Sequence, residues 1–150
     1  MSASNYLENE LLDHALGEGG RNYTSPTLHV ALFAGNVSDV SAALEEGSNA
    51  TTAGNWGRYE INTGSYARQG INFATASGGS ASSNSTVTFP QATANYNNTN
   101  SDGSTVTYVA LTDASSGGNV IFYGNLTNPK EILSADTMSI ASGSLTVSLA

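Results

Sequence analysis

Thr105-Val-Thr-Tyr-Val-Ala-Leu-Thr-Asp-Ala-Ser-Ser-Gly-Gly-Asn-Val-Ile-Phe-Tyr-Gly124 reads as a β-hairpin. Two runs rich in Val, Ile, Tyr, Phe and Thr flank Asp113 to Asn119, residues that tolerate positive φ or bond back to their own backbone. Alternation along the first run puts Val106, Tyr108 and Ala110 on one face and Thr107, Val109 and Leu111 on the other. Both faces carry apolar surface, which suits a central strand. Val120-Ile-Phe-Tyr123 is apolar without a break, as a strand covered on both sides should be.

Working outward, the N-terminal segment predicts an amphipathic helix over about residues 5–16. Leu7, Leu11 and Ala15 recur at i, i+4 and i+8 with Leu12 and Leu16 beside them, and Glu8, Glu10 and Asp13 take the other face. Asn5 is the expected cap, with Glu8 completing a capping box and Gly17 ending the helix. Leu7, Leu11, Leu12 and Leu16 form the packing face. Its expected bed is the protein's own sheet, with a neighbouring subunit as the alternative.

Leu28 to Ala34 alternates as a buried strand, with His29 a surface or hydrogen-bonded residue rather than a ligand. Residues 36–47 hold a helical turn with Ser41 as cap and Val40 and Leu44 as apolar contacts, and 48–55 read as loop. Trp56-Gly-Arg-Tyr-Glu-Ile61 contains the single Trp, close to Arg58 and Tyr59. It is either an exposed binding platform or a strand whose Trp covers the edge of the core. In Tyr66 to Phe73, Arg68 beside Tyr66 is expected to make a structural ion pair rather than a partner contact. Short strands follow at 85–90, in 126–133 and 136–140, and at 144–149, after loops rich in Ser, Gly and Asn. The expected fold is mainly β: a single-domain antiparallel β-sandwich over residues 1–150 with one short N-terminal helix and strands from about 27 to 149.

Composition narrows the function. With 150 residues the chain can bury a core unaided, and it has no Cys, so thiolate chemistry and disulfide scaffolds are excluded. Four cations, Arg21, Arg58, Arg68 and Lys130, stand against twelve carboxylates, leaving a net charge of −8. No basic stripe exists to bind nucleic acid. Neither a membrane-spanning run nor a signal peptide is apparent, so synthesis as a soluble intracellular protein is expected. No Gly-x-Ser-x-Gly elbow, His-Glu-x-x-His, P-loop or calcium loop occurs. Asp13-His14 cannot form a dyad because neighbours on a helix point apart. No catalytic residue, metal ligand or cofactor site is assigned, and the protein reads as a non-enzyme.

Several segments carry a resemblance. Tyr6 to Gly17, Tyr23-Thr-Ser-Pro-Thr-Leu-His-Val-Ala-Leu-Phe33, Gly64-Ser-Tyr-Ala-Arg-Gln69, Val87-Thr-Phe-Pro-Gln-Ala-Thr-Ala94, Leu111 to Gly124 and Ser142-Gly-Ser-Leu-Thr-Val-Ser-Leu149 resemble a family of small tailed-bacteriophage virion proteins, many labelled tail fibre proteins. Asn95 to Ser104 and Ser41 to Trp56 depart from its pattern as expanded loops. The resemblance implies a non-enzymatic structural protein of the phage particle. The first expectation is a capsid decoration, or cement, protein that binds the major capsid protein as a dimer or trimer. A tail or fibre-associated virion protein is the alternative. A carbohydrate-binding module stacking sugars on Trp56, Tyr59 and Tyr66 is the rival from another class. Possible partner or glycan contacts are therefore Trp56, Arg58, Tyr59, Tyr66 and Arg68.

Overall fold

The computed structural model describes residues 1–16, 26–47, 56–100 and 103–149. The expected end of the first helix at Gly17, the loop at 48–55 and Arg21 lie outside the described residues. At the centre, β6 (Thr105–Thr112) and β7 (Val120–Glu131) form the antiparallel hairpin read from the sequence, with Ala110 opposite Tyr123 and Leu111 opposite Phe122. On its other side β6 pairs antiparallel with β2 (His29–Ala34). Two-residue strands β1 (Ser2–Ala3) and β3 (Gln69–Gly70) close the edges, giving the order β1-β7-β6-β2-β3.

The sheet is apolar on both faces because its central strands alternate between two clusters. Val30, Leu32, Ala34, Val109 and Leu111 join Ile61, Ile71, Phe89, Tyr96 and Ile132 in the larger core. Ala31, Phe33, Tyr108, Ala110 and Val120 face the other way, towards Val40, Ala43, Leu44 and Trp56. A bulge between Val106 and Tyr108 breaks the alternation. It turns Val106 into the larger core instead of aligning it with Tyr108 and Ala110, as simple period two required.

The architecture departs from a sandwich. Among the described residues it is mixed α/β, about 35% strand and 19% helix, and the five-stranded sheet has no second large sheet opposite it. Over the larger core lie irregular chain and two small ladders, β4 (Ser80–Ser82) with β9 (Thr146–Ser148) and β5 (Val87–Thr88) with β8 (Ser139–Ile140). Ser, Thr and Asn side chains supply bonds that a long ladder would otherwise make, as when Ser83 Oγ accepts from the amides of Gly143 and Leu145. Long strands are therefore not needed to satisfy this backbone. On the opposite face sits a helix, α2 (Val37–Glu46), where the sequence predicted one turn. Its cap is Asn36, whose Oδ1 accepts from the Ser38 amide at 3.0 Å, and not Ser41.

The first helix, α1 (Asn5–Leu16), matches its expected limits but not its expected cap or packing. Ser4, fully buried, takes the capping role: its Oγ accepts from the Leu7 amide at 3.3 Å and donates to the Val120 carbonyl at 2.6 Å. One hydroxyl thus begins the helix and ties it to β7. Because the cap lies one residue earlier than expected, Glu8 falls at the fourth helical position and no capping box forms. Gly47 completes the joint. It ends α2 in the left-handed region at φ 67°, its carbonyl accepts from the Val120 amide at 2.8 Å, and a Cβ there would collide with the Ser4 side chain.

Candidate functional site

Arg68 precedes β3 and is nearly buried, with its side chain only 3% exposed. A guanidinium in that position must have every donor engaged. Nε and Nη2 donate to Oε1 and Oε2 of Glu60 at 2.6 and 2.7 Å, a two-point ion pair. Nη1 donates to the carbonyls of Ala114 and Gly117, each at 2.8 Å, inside the β6–β7 turn. The plane of the guanidinium lies over the Trp56 ring, 5.1 Å from its centroid. Burial alone would lower the pKa of this group, but the hydrogen bond and charge of Glu60 outweigh it and hold the pKa above its ordinary value.

Tyr66 extends the network. Its hydroxyl donates to Glu60 Oε1 at 3.0 Å and accepts from the Leu32 amide at 3.0 Å, which joins the ion pair to β2. Burial first, and then the Glu60 charge, pushes the Tyr66 hydroxyl well above the usual tyrosine range. The ring stacks on Phe89 at 6.0 Å and meets Tyr96 edge-on at 5.7 Å.

These contacts decide between the two readings of the Trp56 region. Trp56 is 0% exposed, begins a short 3₁₀ turn (Trp56–Arg58) rather than a strand, and meets Phe33 edge-on at 6.0 Å. With Phe33 on its edge and Arg68 on its face, the indole offers no surface to a sugar. The stacking platform is corrected to a core residue. Arg68 makes the structural ion pair that its scarcity on an acidic chain implied. Of the five candidate contacts, Arg68 joins the buried Trp56 to the half-buried Tyr66 through Glu60, whereas Arg58 is exposed and lies 5.9 Å over the ring of Tyr59, itself half-buried against the cluster of Phe33 and Trp56. Glu60 was missed as a candidate. Its signal was a carboxylate eight positions before the buried arginine, which only the fold makes adjacent.

Among the described residues the exposed large apolar side chains are Leu12 and Leu16 of α1, Val37, Leu133 and Leu149. Leu7 is the one buried residue of α1, Leu11 is half-buried, and Leu12 and Leu16 are 57% and 72% exposed. The expectation that all four leucines pack on the sheet is corrected: only the first turn reaches it. Glu8 of α1 and Glu45 of α2 both lie near enough to Tyr123 to raise its pKa, after burial, so the acids of the two helices share one side of the molecule. Among the described residues no three His, Asp or Glu side chains are placed to share a metal, and no helix is long and apolar enough to cross a membrane.

What the arrangement can do chemically is hold strands together. The charged groups brought into one place satisfy one another, and α1 carries two neighbouring exposed leucines on its outer side. A family model described as podophage GP4 fiber I protein gp80 matches residues 2–148. No curated protein matches the chain.

Proposed function

The chain belongs to the Gp80 family of podophage fibre proteins, structural components of the phage virion and not enzymes, and on that premise we propose that it is a tail-fibre-associated protein, one folded domain that attaches to neighbouring fibre or tail subunits. The observation that carries this reading is the family match across nearly the whole chain. The described architecture supports it: the buried Arg68–Glu60 network stiffens a small module, and contact with other subunits falls to exposed helix and loop surface. The matched family is one of fibre proteins, so the fibre-associated reading replaces capsid decoration, and fibre or tail subunits replace the major capsid protein as partners. A dimer or trimer is the oligomer this reading proposes.

Gold-labelled antibody against the protein, applied to purified host virions under the electron microscope, tests it. Label along the tail fibres or at their attachment is the expected result. Dense label over the head with none on the tail would overturn the reading.

A further inference from the structure

α1 carries an outward ridge. Glu8, Leu12 and Leu16 recur at four-residue spacing and so stand on one line, all three exposed, with Leu11 and Ala15 forming the adjacent line. Leu12 and Leu16 contribute more than half of their surface to solvent, while the helix is held at its other end by Ser4 and Leu7. An anchored helix that presents an apolar ridge is the donor half of a helix-in-groove contact.

The charge around the ridge limits what can cover it. Glu8, four residues before Leu12, and Asp13, three before Leu16, border the leucines on α1, and Glu45 of α2 acts with Glu8 on Tyr123. A second copy docking helix to helix would oppose these carboxylates to one another. Among its described residues a second copy presents no basic rim elsewhere: the exposed Lys and Arg there are Arg58, which lies over Tyr59, and Lys130, which is followed by Glu131. Complementarity requires a groove with apolar walls and several Lys or Arg at its edge.

We propose that the Leu12–Leu16 ridge of α1 docks into an apolar groove rimmed by Lys and Arg on a different virion protein, and that this contact seats the chain in the particle. The inference rests on the fibre reading and adds to it the surface and the chemistry of the partner. Apolar burial supplies the affinity, and the acids on α1 set orientation and speed of approach.

The test uses particles grown without this protein, to which purified chain is added back and counted after pelleting. Wild type is expected to bind; Leu12→Gln with Leu16→Gln is expected to bind at least about tenfold more weakly, with unchanged circular dichroism and Tm because both side chains are exposed. A second variant, Glu8→Gln with Asp13→Asn, keeps the leucines and is expected to lose several-fold in affinity at low salt, the deficit shrinking as salt rises. Equal binding by wild type and the leucine variant overturns the inference and leaves the fibre reading standing. Failure of wild type itself to bind overturns the fibre reading on which the inference rests. A dimer in sedimentation that only the leucine variant loses would show a second copy on the ridge, and would also overturn it.

Discussion

Arg68 and Glu60, eight positions apart, meet at two points, Nε to Oε1 at 2.6 Å and Nη2 to Oε2 at 2.7 Å, while the remaining guanidinium nitrogen holds two carbonyls of the central hairpin's turn. A lysine could meet the charge but not this set of donors. Arg68→Lys is expected to lower stability by about 2–4 kcal/mol, since one ammonium cannot serve both oxygens of the half-buried Glu60 carboxylate and the two turn carbonyls at once. Replacing both charged residues by Met removes the charge problem but leaves the carbonyls of Ala114 and Gly117 without their donor. The double variant is therefore expected to remain less stable than wild type in urea unfolding, and equality would show that the turn does not need Arg68.

Tyr66 makes stability sensitive to alkaline pH. Its hydroxyl stays neutral in the fold above the pH where it ionises in the unfolded chain, roughly pH 10. The folded state then holds a proton that the unfolded state has lost. The contribution is fully present below that pH and is lost as pH rises towards the folded pKa. Tyr66→Phe is expected to cost about 1–3 kcal/mol at pH 7, because the Leu32 amide loses its acceptor, and to flatten the fall in Tm between pH 9.5 and 11. A variant as alkali-sensitive as wild type would assign that sensitivity elsewhere.

The leucines of α1 separate into anchor and surface. Leu7→Ala is expected to lose about 2–4 kcal/mol as a core truncation, whereas Leu12→Ala and Leu16→Ala each stay within about 0.5 kcal/mol of wild type. Thermal unfolding of the three variants checks this, and a large loss at Leu16 would mean that the ridge is covered within the monomer.

Gly47 joins helix end, N-terminal segment and sheet. Gly47→Ala must adopt a left-handed conformation and push against Ser4, so a loss of at least about 1–2 kcal/mol is expected. Gly143→Ala, also at positive φ but facing open space, is the control and is expected to lose less.

Trp56→Ala distinguishes core from platform. Loss of the buried indole is expected to cost about 3–5 kcal/mol and to leave any glycan-array signal unchanged at temperatures where the variant is folded. Normal stability with loss of a glycan signal would restore the sugar platform.

The parts legible in the sequence were those written contiguously. The hairpin of β6 and β7 carries its strands and its turn within twenty residues, and α1 declares itself by four-residue spacing of leucines. Residues 36–46 were less legible because Asn36, Ser38 and Ser41 compete for the cap and only Val40, Ala43 and Leu44 mark the buried side. The Trp56 site was undecidable from its own neighbours. Whether an indole lies inside depends on Phe33 and Arg68, 23 positions before it and 12 after, arriving on either side. Likewise, the register shift beside Tyr108, where residues 126–129 of β7 pass the single residue Thr107, reverses Val106; its one sequence mark, Pro129, lies on the partner strand and not in β6.

The strand order β1-β7-β6-β2-β3 also governs when a nascent chain can fold. The first strands made, β1 and β2, belong on opposite sides of a pair supplied by residues 105–131. At about 5–20 residues per second, β2 leaves the ribosome seconds before its partner β6 exists. A product broken off before that point has neither a sheet to bury Leu7 nor a carbonyl at Val120 to hold Ser4, so it cannot orient α1. Translation thus acts as a proofreader for the virion: only a chain read through its last third can present the surface by which it would be admitted.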